Sequence, residues 1–142
     1  MKHKLNCILL IDDDEPTNFL NRMTLEQADC AHCVQTIQTG QEALNYLMHK
    51  GKYQHANDHP HPDLIFLDIN MPAMDGWEFL EKYRQLPSQQ KASIVMIMLT
   101  TSLNPDDQQR AAAIPEIDGF EHKPLRVDRL KDMLKHYFPD RT

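Results

Sequence analysis

The sequence is poor in glycine, cysteine and tryptophan, with four, three and one of these among its 142 residues. So little glycine excludes a collagen-like chain and argues against a low-complexity one. An odd and small number of cysteines excludes a disulfide framework and favours a reducing compartment. No apolar run approaches the roughly 20 residues that a membrane-spanning helix requires. We therefore expect a cytoplasmic protein that does not insert into a membrane.

Clusters of positive charge are missing as well. Lys and Arg total 15, Asp and Glu total 21, and the formal net charge is -6. Proteins that bind nucleic acids usually present a basic patch to the phosphate backbone. Direct DNA binding is therefore not expected.

Length and composition suit one ordinary globular domain. Hydrophobic residues make up 41% of the chain and charged residues 25%, which is typical of a compact fold with a buried core. We expect a single domain over residues 1–142, with its core at about 5–138 and no attached output domain.

Negative charge is concentrated where Asp12, Asp13, Asp14 and Glu15 follow the apolar run 7–11. Adjacent carboxylates repel one another, so a fold places them together only where water solvates them or a cation compensates them. This cluster is the first candidate site.

Apolar runs of strand length alternate with helical patterns along the whole chain. Strands are predicted at 5–11, 34–38, 64–67, 94–99 and 117–122. Such alternation predicts a doubly wound α/β fold, a three-layer sandwich around a central parallel sheet.

Helices are predicted between the strands and after the last one. The first contains an apolar stripe of Phe19, Leu20 and Met23, extended by Leu25, and Thr39 with Glu42 forms a capping box that opens the second. Asn104 is the predicted N-cap of the helix that follows strand 4, and an amphipathic helix at 127–138 ends the fold. The polar segment 50–62 is predicted to be a surface loop.

Chemically active side chains recur at the ends of the predicted strands. Asp12 and Asp13 follow strand 1, and later strands end in the residues Asp68, Thr100 and Lys123. Ligands of doubly wound sheets bind at the carboxyl ends of the strands. If strands 1 and 3 are neighbours, three carboxylates converge, and an all-oxygen site of this kind favours Mg²⁺, with Mn²⁺ as an alternative.

A carboxylate beside such a cation can act as a nucleophile toward phosphorus. Asp68 is the candidate because it stands at a strand-to-loop junction. Lys123 would supply a positive charge, and the Thr100 hydroxyl would donate to a phosphoryl oxygen. The product would be an acyl phosphate that alters the charge of the site, which suits a switch better than a catalytic cycle.

Four motifs, in this order, resemble the receiver domain of two-component response regulators, of the single-domain chemotaxis type. The resemblance covers essentially the whole chain and implies a flavodoxin-like (βα)5 fold with strand order 2-1-3-4-5. The motifs are Ile11-Asp12-Asp13-Asp14, the segment 68–76 that begins at Asp68 and ends in Asp75-Gly76, Leu99-Thr100-Thr101-Ser102, and Gly119-Phe120-Glu121-His122-Lys123-Pro124.

The resemblance implies a metal site and a phosphoacceptor. Asp68 is the implied phosphoacceptor. Asp13, Asp68 and the backbone carbonyl of Asn70 are the implied direct Mg²⁺ ligands, with Asp12 acting mainly through water. Lys123 is implied to pair with the phosphoryl group, and its bond to Pro124 is cis in the family.

The resemblance also implies a function. Thr100 would be the switch hydroxyl and Phe120 the aromatic residue that changes rotamer. The chain would be a stand-alone response regulator that takes a phosphoryl group from a histidine kinase or phosphotransfer protein. Its only chemistry would be self-catalysed transfer and slow autodephosphorylation, and its downstream protein target is not implied.

Three departures from the family pattern affect partner choice. Phe120 replaces the Tyr of many relatives, so a readout through a hydroxyl is absent there. The segment 114–117 replaces a small Gly-Ala connection, and the His-bearing loop 50–62 is longer than usual.

Two other functions compete with this interpretation. A phosphohydrolase of the haloacid dehalogenase kind also combines Asp, Mg²⁺, Thr or Ser and Lys. Its chemistry requires a second Asp two residues after the nucleophile, where this chain has Asn70. A zinc or redox protein would centre on Cys30 and Cys33, although no second Cys/His pair stands at a partnering spacing. The histidines of 49–61 could bind metal or sense pH, but a polar loop is favoured.

Overall fold

A computed structural model describes residues 3–55, 57–91 and 93–141 of the chain. In this part of the chain, five parallel strands form one sheet in the order β2-β1-β3-β4-β5, as predicted. They are β1 (Leu5–Ile11), β2 (Ala31–Ile37), β3 (Leu64–Leu67), β4 (Val95–Thr100) and β5 (Gly119–His122).

Helices cover both faces of the sheet, so the predicted three-layer architecture is confirmed. Those described are α1 (Glu15–Ala28), α2 (Gly40–Met48), α3 (Gly76–Arg84), α4 (Ser88–Lys91), α5 (Pro105–Ala112) and α6 (Val127–Tyr137), with 3₁₀ turns at Gly51–Tyr53 and Pro139–Arg141. One core lies under α2, α3 and α5, and a second lies under α1 and α6. No helix within 3–55, 57–91 or 93–141 is long and apolar enough to cross a membrane.

Side-chain caps start four of the helices, because the first backbone N–H groups of a helix lack partners within it. The predicted caps Thr39 and Asn104 accept from the N–H groups of Glu42 at 3.1 Å and Asp106 at 3.0 Å. Asp14 and Asp75 do the same for α1 and α3. These capping residues therefore set the position at which each of the four helices begins.

The predicted inner face of α1 is correct at Leu25 and wrong at the three other apolar residues. Phe19, Leu20 and Met23 are 62%, 60% and 51% exposed, whereas the buried residues of α1 are Asn18, Asn21 and Leu25. Hydrophobic periodicity assigns the apolar stripe to the core, but α1 turns two amides toward the end of the sheet instead. The exposed stripe remains available on the surface.

The loop 50–62 is better packed than its polar composition predicts. Tyr53 is buried, and the rings of Tyr46, Tyr53 and His59 contact one another with centroids 5.1–5.6 Å apart. The Tyr46 hydroxyl donates to the carbonyl of Pro60 at 2.8 Å. The loop is thus fastened to α2 by aromatic contacts and a hydrogen bond.

Candidate functional site

Three carboxylates meet at the carboxyl ends of β1 and β3. These two strands are neighbours, and Ile11 pairs with Leu67, so the residues that follow them lie side by side. One oxygen each of Asp12, Asp13 and Asp68 lies within 4.8 Å of the others. Asp12 and Asp68 are buried, and Asp13 is exposed. The convergence predicted from the strand ends is present in the structure.

Lys123 enters this cluster from the end of β5. Its Nζ makes ion pairs with Asp12 and, at 3.2 Å, with Asp68 Oδ1. The N–H of Lys123 donates to the carbonyl of Thr100 at 2.8 Å, which ties the end of β5 to that of β4. The bond between Lys123 and Pro124 is cis, as the resemblance implied.

The charges of the cluster do not balance. Burial raises the pKa of Asp68 above its ordinary value, and the negative charge of Asp12 raises it further, while Lys123 opposes both effects. Burial lowers the pKa of Lys123, but its hydrogen bond to Asp12 and the charge of Asp68 outweigh this, so the net shift is upward. Three ionised carboxylates against one ammonium leave two negative charges without compensation.

The donor set fits a divalent cation. The ligand atoms that converge are all carboxylate oxygens, and the exposed side of Asp13 leaves room for water. Hard divalent cations prefer oxygen ligands, and an added charge of two would neutralise the excess. The exposed Asn70 lies in the loop after β3, and the ligand role of its backbone carbonyl stays a prediction.

Thr100 ends β4 and is fully buried. Its hydroxyl oxygen accepts from the N–H of Ser102 at 3.0 Å, and the Ser102 hydroxyl donates to Asp107 Oδ2 at 2.5 Å. A chain of hydrogen bonds therefore runs from the site, through the loop, into α5. The sequence singled out Thr100, but nothing in it indicated the bond between Ser102 and Asp107.

Phe120 lies on the edge strand β5 and is half-buried against the core under α5. Its ring lines a cavity of about 210 Å³ together with Gln108, Ala111 and Ile117. The ring also makes an edge-on contact with His122, with centroids 5.7 Å apart. The aromatic residue predicted to change rotamer thus lies beside open space.

Two residues at the site were missed by sequence reasoning. Asn18 Nδ2 donates to the carbonyl of Asp12 at 2.8 Å. A Cβ on Gly76 would stand 2.7 Å from the carbonyl oxygen of Asp68, so only glycine allows α3 to pack this close to the end of β3. The Asp75-Gly76 pair carried a signal for the turn, whereas nothing distinguished Asn18 from a surface residue.

The structure does not support a zinc or redox centre at Cys30 and Cys33. Cys30 packs in the core under α1 and α6, and Cys33 packs against the core on the opposite face of the sheet. Cys33 is instead in register with Cys7 on β1. Since Cys30 and Cys33 lie on opposite faces, they do not form one zinc or redox centre.

Comparisons with known proteins agree with the geometry of the site. Residues 8–135 match the model of the response regulator receiver domain. Response regulator Rcp1 of Synechocystis is 34% identical over 100 residues, which are 70% of this chain and 65% of Rcp1. The chain therefore matches just under two thirds of the length of that relative.

Solved structures share the whole fold. A two-component response regulator from Cytophaga hutchinsonii superposes with a TM-score of 0.83 at 30% identity, and the match covers 96% of this chain and 99% of that one. The Mn²⁺-bound form of Rcp1 gives a TM-score of 0.71 at 28% identity, with 92% and 90% covered. The match to the family model, the strand order and the cluster of three carboxylates all support the same assignment. This chain belongs to the response regulator receiver domain family, whose members are signalling switches of two-component systems.

Proposed function

We propose that this chain is a response regulator receiver that accepts a phosphoryl group on Asp68 from a histidine kinase or phosphotransfer protein. In this proposal residues 1–142 form one receiver domain. Mg²⁺ is held by Asp12, Asp13, Asp68 and the carbonyl of Asn70. The observation that carries the proposal is the buried Asp68 carboxylate, which lies within one small cluster of cation ligands and within 3.2 Å of Lys123.

The transfer itself needs little rearrangement. An oxygen of Asp68 attacks the phosphorus of a phosphohistidine, the P–N bond breaks, and the imidazole leaves with the electron pair of that bond. The product is an acyl phosphate on Asp68. Mg²⁺ supplies the positive charge that offsets the phosphoryl oxygens during transfer. Lys123, whose Nζ lies 3.2 Å from Asp68 Oδ1, adds a second positive charge.

Phosphorylation then redirects two hydrogen bonds. Lys123 already contacts Asp68, so a phosphoryl group there offers it more negative charge than Asp12 does. The Thr100 hydroxyl can donate a hydrogen bond to an oxygen of the same phosphoryl group. Since Thr100 is the first member of the hydrogen-bond chain through Ser102 and Asp107, its movement reaches α5.

In this proposal, movement of Thr100 allows Phe120 to change rotamer, which alters the surface between β5 and α5. When Thr100 moves toward the phosphoryl group, the space beside β4 opens to the neighbouring ring on β5. Phe120 lines the cavity between β5 and α5, so a change of its rotamer alters the shape of that groove. The downstream protein would read the groove, and the missing hydroxyl at Phe120 restricts it to recognition by shape.

The exposed stripe of α1 gives the phosphodonor a surface to contact. Phe19, Leu20 and Met23 lie on the helix that starts directly after the acidic cluster, and exposed apolar patches mark interaction sites. A protein that presents a histidine to Asp68 must approach this end of the sheet. We therefore include the α1 stripe in the proposed docking surface.

Labelling with acetyl phosphate tests the proposal directly. Incubation with acetyl phosphate and Mg²⁺ is expected to add one phosphoryl group, labile to base and absent without Mg²⁺. Asp68→Asn is expected to abolish labelling, whereas Asp58→Asn, the same change at an exposed acid of the loop, is expected to retain it.

Two results would count against the proposal. Undiminished labelling of Asp68→Asn would show that another residue accepts the phosphoryl group. Continuous release of phosphate from small phosphate esters over many turnovers would favour the phosphohydrolase instead. Intact-protein mass spectrometry and a phosphate-release assay distinguish these outcomes.

A further inference from the structure

Asn18 occupies a position on α1 that an apolar side chain would normally fill. It is 3% exposed, and its Oδ1 has no hydrogen-bond partner in the part of the chain that the structure describes. A buried polar atom without a partner costs about 1–3 kcal/mol. An asparagine is retained here although leucine would avoid that cost, which points to a functional reason for the amide.

The Nδ2 group of the Asn18 amide makes the hydrogen bond that connects α1 to the acidic cluster. It donates to the carbonyl oxygen of Asp12 at 2.8 Å and thereby fixes the plane of the peptide that joins Asp12 to Asp13. The side chain of Asp12 is fixed from the other side, because its Oδ1 accepts from the N–H of Asp14 at 2.9 Å. Together these bonds fix the peptide that carries Asp13 and one carboxylate oxygen of Asp12.

Asn18 also lines a small cavity beside the buried residues Asp12 and Asp68. The cavity has a volume of about 10 Å³, close to the least that holds one water molecule. Its walls connect the helix to the site, since they comprise Leu10, Ile11, Asp12, Asn18, Asn21, Phe66, Asp68 and Leu99. Asn18 therefore lies in one packed unit with both buried carboxylates.

We propose that Asn18 is a positioning residue for the metal site: its Nδ2 holds the Asp12–Asp13 backbone in the geometry that binds the divalent cation. The proposal rests on the proposed function only for the identity of that cation. Groups that orient metal ligands commonly contribute 10–100-fold to metal affinity. Because Asn18 acts through a backbone carbonyl, we expect the lower end of this range.

The test compares Asn18→Leu with the wild-type chain. Leucine has nearly the same size but cannot donate, so Mg²⁺ binding measured by isothermal titration calorimetry is expected to weaken about tenfold. In the acetyl phosphate assay, the Mg²⁺ concentration for half-maximal labelling should rise similarly, while the rate at saturating Mg²⁺ stays near that of the wild type. Urea unfolding without Mg²⁺ should show little change in stability, because removal of the unpaired Oδ1 offsets loss of the hydrogen bond from Nδ2 to the Asp12 carbonyl.

Asn21→Leu is the matched control. Asn21 lies on the same helix and lines the same cavity, but the side-chain donor to the Asp12 carbonyl is Asn18, so substitution of Asn21 should leave Mg²⁺ affinity unchanged. Unaltered Mg²⁺ affinity in a folded Asn18→Leu chain would overturn the proposal. If that variant does not fold, Asn18→Ala is compared with Asn21→Ala, and equal Mg²⁺ affinities of the two would overturn it as well.

Failure of the proposed function would look different. A wild-type chain that binds Mg²⁺ but is not labelled at Asp68 would refute the phosphoacceptor assignment. The calorimetric comparison of Asn18→Leu with wild type would still decide the role of Asn18.

Discussion

At the scale of single residues, Asp68 illustrates the conflict between folding and function. Its carboxylate is buried beside a second buried carboxylate, and Lys123 offsets only part of the repulsion. Before a cation binds, the folded chain therefore carries a charge that it would tolerate better if neutral. The unfavourable position is what makes the carboxylate available to a cation and a phosphoryl group.

Neutralising Asp68 should therefore stabilise the metal-free protein. The pKa of Asp68 is raised in the folded state, so its contribution to stability is fully present below the pKa of the unfolded chain and is lost as pH rises through the folded pKa. Without Mg²⁺ at about pH 7, Asp68→Asn should raise the free energy of unfolding by on the order of 1 kcal/mol. Near pH 3.8, the ordinary value for Asp, the difference should largely vanish.

Urea denaturation in EDTA at a series of pH values measures this difference. A variant less stable than wild type at neutral pH would mean that the ion pair with Lys123 outweighs burial and repulsion. Asp58→Asn, which changes an exposed acid, should show no comparable dependence on pH.

Most residues of the site could be predicted from the sequence because they stand at strand ends. Asp12, Asp68 and Thr100 directly follow or close apolar runs, and topology brings the ends of parallel strands together. Asn18 could not be predicted, since its role depends on which face α1 turns inward. Hydrophobicity assigned Leu25 to that face correctly but also assigned three residues that are exposed.

At the scale of secondary structure elements, α1 departs most from its sequence pattern. Leu25 packs in the core under α6, but the stripe of Phe19, Leu20 and Met23 faces outward. A helix usually buries its apolar stripe. Here α1 buries Asn18 and Asn21 beside the acidic cluster, and the stripe stays on the surface.

Matched substitutions on α1 test this rotation. Leu25→Ala should lower the free energy of unfolding by about 2–5 kcal/mol, as expected for a buried leucine. Leu20→Ala makes the same change at a residue that is 60% exposed, so its effect should stay within about 0.5 kcal/mol. Urea unfolding followed by circular dichroism measures both, and comparable losses would show that Leu20 is buried after all.

The sequence predicted well the elements whose bounds follow from local composition. It did not predict the elements whose positions depend on contacts with residues distant in sequence. β1 and β3 have the predicted bounds, because a continuous apolar run can only be buried in a sheet covered on both faces. The four-residue helix α4 and the 3₁₀ turn at Gly51–Tyr53 were not predicted. Tyr53 is held by ring contacts with Tyr46 and His59, which no local pattern indicates.

At the scale of the whole molecule, the net charge of -6 is less informative than its distribution. The run of four acids separates into two pairs with different roles. Asp12 and Asp13 join Asp68 in the candidate metal site, whereas Asp14 caps α1 and Glu15 lies in its first turn. Because the three ligands come from two strands, the site exists only when the sheet is assembled.

Cation binding should therefore be coupled to global folding. A cation that binds only the folded state stabilises it by RT ln(1 + [Mg²⁺]/Kd), about 2.7 kcal/mol at one hundred times Kd. The free energy of unfolding should rise with Mg²⁺ by about 1.4 kcal/mol for each tenfold increase above Kd, since ΔG follows the logarithm of concentration. NaCl at equal ionic strength should not reproduce this rise.

Variants within the acidic run make this last expectation specific. Asp13→Asn removes a ligand and should strongly reduce the stabilisation by Mg²⁺, whereas Glu15→Gln, the same kind of change at an exposed acid outside the site, should retain it. Equal Mg²⁺ dependence in both variants would show that the cation screens the acidic run as a whole. A dependence lost only in Asp13→Asn would place the cation among the three strand-end carboxylates, because their burial and uncompensated charge favour a cation there.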